Sequence, residues 1–387
     1  MGPLNGCRVI EMGHALAGPL TGTFLGDFGA DIVKIEHPQE GDSLRRMGPK
    51  LGNTGTWWLV VGRNKKSITL DVKTPEGLEI ATALLRDADV LVENYRPGTL
   101  EKFGLGWEQL QAINPRLVLL RISGYGQTGP YSRKGGFGKI AEAFSGATNL
   151  TGRADEPPMH PGYSLGDATC ALAGAYGVAL CLLARHTTGK GQMVDLALYE
   201  PLFRMIDWQI PMHVLNGTKV TRDGTRFPFE DAFVTDICMT SNKESVVISA
   251  ATAAHRERLA ALLIKEGEME AFTSTAVLGA ALRRWIGKND RQTVLSTFEK
   301  ADLVSSLVYT PTAMLENEHM RARKNIINIE HPTLGTIPMP GVVPLLSDTP
   351  GSVQTAGPSL GQHTEEILSK LGYGAEQIAD FRKRKIV

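Results

Sequence analysis

Two side chains in the stretch HPGYSLGDATCALAGAYGVALCLLARHTTGKG, residues 160–191, are suited to nucleophilic chemistry. Ser164 lies inside a literal G-x-S-x-G, and Asp167 follows it directly. In an α/β-hydrolase that serine works because it sits on a sharp turn between a buried strand and a helix, which exposes its hydroxyl. The residues before it here are GRADEPPMHP, with three prolines and no apolar alternation. No strand is present to make the elbow, so the serine reading loses its structural condition.

Asp167 has the better setting. An uncharged run over residues 168–184 is followed by Arg185, His186 and Gly189. This predicts a helix with Asp167 at its N-cap, basic residues in its last turn and a glycine past its end. Capping alone is the commoner use of such an aspartate, and it is compatible with chemistry. As a membrane span the run is slightly short of the roughly 20 residues needed, and Ala and Gly supply much of it. It reads as a buried core helix in which Ala171, Ala173, Gly174, Ala175 and Gly177 let another backbone approach.

The elements that must position these residues begin as a string of β-α units. CRVIEMG is a strand, Pro19 opens a helix through Phe28, and ADIVKIE is a second strand ending in Glu36. The turn between them, GHALAGP, lacks the G-x-G-x-x-G spacing that lets a backbone approach a pyrophosphate, which argues against NAD. KSITLD, a helix over Pro75–Arg86, DVLVE, short helices after Pro97 and around Trp107, and LVLLRISGYG continue the alternation. Such a pattern implies a mostly parallel sheet with covered faces. After Pro201 it changes to two strands joined by a polar turn at residues 241–244, helical segments over 253–301, the strand-like GTIPMPGVVPLL, and two helices after Gly361 and Gly374.

The expected fold is therefore α/β: a Rossmann-like large domain from both chain ends, residues 1–200 and 320–387, with a smaller α+β domain at 225–310. Residues 201–224 and 311–319 would link them.

Composition narrows the function classes. At 387 residues, with 42% apolar and 21% charged, the chain reads as a soluble globular protein. Its 41 basic and 41 acidic residues cancel, so no polyanionic partner such as nucleic acid is implied. The RKRK run at residues 382–385 reads as a solvated helix end. Cys7, Cys170, Cys181 and Cys238 show no C-x-x-C spacing, and the nine histidines are scattered, so no metal set is predicted. Reduced thiols and an opening without a basic, signal-like start fit a cytoplasmic protein with no membrane partner.

Taken together, the motifs resemble a family. ADIVKIEHPQEGD, NKKSITLDVKTPEG, DVLVENYRPGTLEKFGLGWEQL, NPRLVLLRISGYGQTGPY, GYSLGDATCALAGAYGVALCLLARHTTGKGQMVDLALYE, EHPTLGTIPMPG and GQHTEEILSKLGY occur in the order and spacing of the type III CoA-transferases. That group includes formyl-CoA transferase, crotonobetainyl-CoA transferases and the related α-methylacyl-CoA racemases. The resemblance implies that Asp167 is the acyl-accepting nucleophile, passing through a mixed anhydride and an aspartyl-CoA thioester. It implies no permanently bound cofactor, with coenzyme A or acyl-CoA and small carboxylic acids as substrates. It further implies CoA contacts at Ala15, Leu16 and Ala17 after the first strand, at His37, at Leu70 and Lys73, at Asn94, Tyr95 and Arg96, and at Lys102 and Phe137. Lys73, Arg96 and Lys102 suit phosphates, Arg by its planar donor fork and Lys as a compact charge.

One departure separates the reactions of the group. Phe137 occupies the position where the racemases carry a histidine, so two-base proton transfer loses one base. A racemase or isomerase, or a non-catalytic acyl-CoA binder, are the alternatives to transfer. The resemblance also implies an interlocked homodimer, each chain a ring threaded through its partner.

Overall fold

Buried valine, isoleucine and leucine fill the centre of a sheet of six short strands, β1 (Arg8–Glu11), β2 (Asp31–Glu36), β3 (Lys65–Thr69), β4 (Val90–Glu93), β5 (Val118–Ser123) and the more open β6 (Met193–Ala197). All their pairings are parallel, in the order β3-β2-β1-β4-β5-β6. The computed structural model that shows this describes residues 1–224 and 233–387. Parallel strands need crossovers, and the chain provides α1 (Ala17–Asp27), α2 (Thr56–Val61), α3 (Pro75–Arg86), α4 (Thr99–Lys102), α5 (Trp107–Ile113), α6 (Gly138–Phe144) and α7 (Leu165–Thr188).

Side chains alternate along a strand, so each strand feeds two cores. Ile10, Leu91 and Leu119 face α3, which buries Ile80, Ala81, Leu84 and Leu85. Val9, Val90, Val118 and Leu120 face the other way, toward Leu25, Cys170 and Val178 of α1 and α7. Helix α3 starts where the sequence signals a start: Thr74 Oγ1 accepts the Gly77 N–H at 3.0 Å and Pro75 opens the first turn.

The outer edge, β3, is closed by residues from the end of the sequence. The Thr69 N–H donates to Thr364 Oγ1 at 3.0 Å, the Ser67 N–H to His363 Nδ1 at 3.1 Å, and the Asp71 N–H to the Ile386 carbonyl at 2.7 Å. An unpaired row of edge donors and acceptors is thereby covered. This first compact unit comprises Met1–Ser145, Gly162–Ile206 and His319–Val387.

A second unit comprises Gly146–Pro161 and Asp207–Glu318. Its antiparallel sheet has Ser245–Ala250 between Val234–Met239 and Val304–Leu307. Helices Ala253–Lys265, Thr275–Lys288 and Arg291–Lys300 cover it, with Leu259, Leu282, Trp285 and Phe298 buried in the core. Thr252, Ser274 and Asp290 each cap one of them through a side-chain oxygen.

Several expectations need correction. Residues 201–224 and 311–319, read as linkers, carry helices Glu200–Met205, Gln209–Asn216 and Pro311–Glu316 and the start of Glu318–Ala322. Pro201 and Pro311 sit in the first turns, where a missing N–H costs nothing, so they start helices rather than loops. Residues 225–232, which open the expected smaller domain, lie outside the described residues. Helix α7 begins at Leu165 with Ser164 at its N-cap, so Asp167 is its third helical residue and not its cap. Nor is α7 buried all round. Thr169, Cys170, Ala171, Gly174, Val178 and Cys181 form the covered face, whereas Leu172, Tyr176, Leu180 and Leu183 are 52%, 67%, 46% and 67% exposed. The small residues let α1 approach closely on the covered face, where Thr21 Oγ1 donates to the Ala171 carbonyl at 3.3 Å.

Candidate active site

In an open parallel sheet, ligands bind beyond the carboxyl ends of the strands where the chain order reverses. Here that point falls between β1 and β4, and the loops leaving the two strands are fastened to each other. The His14 N–H donates to Asn94 Oδ1 at 2.7 Å, and Asn94 Nδ2 donates to the His14 carbonyl at 2.8 Å. A Cβ on Gly13 would lie 2.8 Å from Asn94 Oδ1, so this approach requires glycine.

The next residue is strained. Ala15 has φ +60°, in the left-handed region that L-residues avoid. Its N–H donates to Asp42 Oδ1 at 2.9 Å, and Asp42 Oδ2 lies 2.8 Å from Lys34 Nζ. Lys34 also donates to Glu11 Oε1 at 2.7 Å and to the Gly13 carbonyl at 2.8 Å. Lys34, Glu11 and Asp42 are all fully buried. Burial alone would lower the Lys34 pKa, but the Asp42 and Glu11 carboxylates outweigh it and hold the ammonium charged. Burial works to raise Asp42 as well, and Lys34 together with the Leu44 and Ala15 N–H groups reverses it. A buried pair broken on one side leaves an uncompensated charge, so this cluster locks the loop.

The loops open onto a cavity of about 280 Å³. Ala15, Leu16, Ala17, Asn94, Tyr95, Arg96, Phe137 and Asp167 all line it. A second cavity of about 200 Å³ shares His14 and Tyr95 as a wall and is lined by His37, Leu70 and Lys73. The structure thus gathers every expected site residue except one: Lys102, exposed on α4, lines neither cavity. Ser164 does not line the larger cavity and makes no capping bond. Burial and the coulombic push of Lys34 lower the pKa of His14, which stands edge-on to Tyr95 at 5.6 Å between ring centroids.

Asp167 enters the larger cavity from the first turn of α7. Burial, reinforced by the nearby Glu142 carboxylate and only partly offset by Lys139, raises its pKa to about 6. Its Oδ2 occupies space that opens because residue 138 is glycine: a Cβ there would lie 2.1 Å away. A carboxylate ionised at neutral pH, at the edge of a slot that two loops line, can attack an electrophilic carbonyl without a base to activate it.

The sequence model of CoA-transferase family III matches residues 4–364. The chain belongs to CoA-transferase family III. Succinyl-CoA–D-citramalate CoA-transferase of Chloroflexus aurantiacus is 38% identical over 399 residues, covering 100% of this chain and 98% of that one. The beta subunit of succinyl-CoA–L-malate CoA-transferase from the same organism is 41% identical over 403 residues, with 100% and 98% covered. Among solved structures, a CAIB/BAIF family protein from Brucella suis superposes with a TM-score of 0.84 at 28% identity, covering 96% of this chain and 99% of that one. This chain is accordingly an enzyme of the CoA-transferase type, with CoA thioesters as substrates.

Sequence reasoning missed several groups that shape the site of this family III enzyme. Lys34 and Asp42 fall inside the motif ADIVKIEHPQEGD but receive no role from the sequence, because nothing local shows that both are enclosed. Lys139 and Glu142 lie on α6, whose N-cap Phe137 gives no capping signal. Lys134 lines the larger cavity and rests over the Tyr131 ring at 3.5 Å, with no carboxylate partner among the described residues.

Proposed function

We propose that this enzyme transfers CoA from succinyl-CoA to a malate- or citramalate-like hydroxydicarboxylate, with Asp167 as the covalent relay. The observation that carries the reading is the Asp167 carboxylate lining one cavity with the paired loops after β1 and β4. The second cavity, with His37, Leu70 and Lys73 beyond Tyr95, suits the nucleotide end of CoA. The substrate pair is that of the similar enzymes named above. Arg96 and Lys134, cations on the cavity wall without carboxylate partners among the described residues, suit anionic groups of either substrate.

The steps balance without a net proton. An Asp167 oxygen attacks the thioester carbonyl and CoA leaves as thiolate, giving a mixed anhydride. The thiolate attacks the Asp167 carbonyl carbon, the C–O bond breaks, and the donor acid departs as carboxylate, leaving an aspartyl thioester. The acceptor carboxylate attacks that thioester and expels CoA, forming a second anhydride. CoA then attacks the acceptor's carbonyl, which frees Asp167 and releases the new thioester. Water would hydrolyse each intermediate, so a half-closed slot suits the chemistry.

Incubation with succinyl-CoA followed by hydroxylamine tests the reading: the peptide carrying Asp167 gains hydroxamate. Absence of that mark, with Ser164 labelled by a fluorophosphonate, would move the protein to the hydrolases. Phe137 on the cavity wall holds no transferable proton, which disfavours a two-base racemase. A 2-methylacyl-CoA in deuterated water is therefore expected to show no enzyme-dependent exchange at its α-carbon.

We read the assembly as a homodimer with interlocked chains. Its support is the uncovered apolar stripe on α7, Leu172, Tyr176, Leu180 and Leu183, of the kind that subunit interfaces bury.

A further inference from the structure

Glu142 is fully buried on α6, a costly position for a carboxylate. Its two oxygens take hydrogen bonds from Lys139 Nζ at 3.1 and 3.0 Å, and Oε1 also accepts the Gly166 N–H at 3.2 Å. Gly166 is the residue before Asp167, so Glu142 grips the first turn of the helix that presents the nucleophile. Lys139 is itself fixed by donating to the Tyr163 carbonyl at 2.7 Å, just upstream of α7. Gly166 admits no side chain either, because a Cβ there would lie 2.6 Å from the Gly138 carbonyl. The start of α6 and the start of α7 are thus in backbone contact, and the pair of buried Glu142 and half-exposed Lys139, both on α6, ties them together through Gly166 and Tyr163.

We propose that Glu142, held by Lys139, is a positioning residue for Asp167: it anchors the first turn of α7 through Gly166 and sets a second negative charge beside the nucleophile. Acylation removes the Asp167 charge, so it also removes the repulsion, and the covalent intermediates gain relative to the free carboxylate. Lys139 keeps that repulsion from becoming large enough to protonate Asp167 at working pH. Among the described residues, the other charged or titratable groups around Asp167 are His14, Tyr95, Arg96 and Lys134 on the cavity wall and Cys170 on its own helix. Of the side chains around it, Glu142 acts most strongly to raise the Asp167 pKa, after burial itself.

The inference rests on Asp167 as nucleophile, and its test separates the two. Glu142→Gln keeps an oxygen for the Gly166 N–H and removes the charge. A kcat/KM profile reports the free enzyme's groups, so the acidic limb is expected to move down by about one pH unit as Asp167 becomes a stronger acid. kcat should fall about tenfold while KM for succinyl-CoA changes less than about twofold, and Glu142→Asp should restore the limb. Hydroxamate capture at Asp167 should persist in the wild type and in E142Q. An E142Q limb that stays at the wild-type pH, with capture intact, would overturn the role of Glu142 alone. Loss of capture in the wild type would overturn the nucleophile assignment instead. If E142Q fails to fold, an unmoved limb in Lys139→Met, which should push the Asp167 limb upward, would overturn the inference equally.

Discussion

Asp167 is asked to be a carboxylate in a place that disfavours charge. Its pKa is raised from 3.8 to about 6 by burial and by Glu142. In the proposed relay the attacking form is the ionised one, so turnover should hold above about pH 6 and fall as pH drops through it. Stability runs the other way: the neutral acid is favoured in the fold, and that contribution is lost as pH rises through about 6. Asp167→Asn should therefore lose transfer by more than about 10³-fold. It should also gain about 1–2 kcal/mol of stability at neutral pH, seen as a higher melting temperature that the wild type approaches at pH 4. A variant with lower stability at pH 7 would show that the ionised side chain is held favourably. Asp167 was legible because a carboxylate heads an apolar run within a recognisable motif. Glu142 was not, since its burial comes from the packing of two helices rather than from its neighbours in sequence.

The same division holds for the elements. Helix α3 could be read at both ends because Thr74, Pro75 and Arg86 are local signals. Strand β6, MVDLA, went unread: it is short and largely open, so its pattern lacks the continuous apolar run of β5. The loop after β1 shows what local rules miss most plainly. Nothing in HALAG announces a left-handed alanine, which is maintained from below by Asp42 and Lys34. Ala15→Gly should relieve that strain and stabilise the enzyme by about 0.5–1 kcal/mol, net of the greater freedom of glycine when unfolded. The loop would also lose its fixed shape, so KM for succinyl-CoA should rise about two- to fivefold with kcat little changed. An unchanged KM would mean that the strain serves only the fold.

For the molecule as a whole, the proposed dimer makes the sharpest expectation. Threaded chains are rare, and neither composition nor periodicity suggests them. If subunits are interlocked, they separate only by unfolding, and sedimentation at nanomolar concentration should still find a dimer. An active monomer at that dilution would rule the arrangement out. The stripe on α7 should then be protected from surface labelling, with Tyr176 inaccessible despite its 67% exposure in the single chain.

The closure of β3 by residues 363–386 bears on how the protein is made. A ribosome that has released residue 318 has delivered all of the second unit and every strand of the parallel sheet, yet not the segment that covers the sheet's outer edge. Through that interval an unpaired row of Ser67 and Thr69 amides, beside the wall of the smaller cavity, is open to any passing strand. The vulnerable moment of this enzyme is therefore late in its synthesis. Nascent chains arrested at 318 should resist protease over residues 233–318 while remaining cleavable around β3, and a chaperone is needed most just before the final helices emerge.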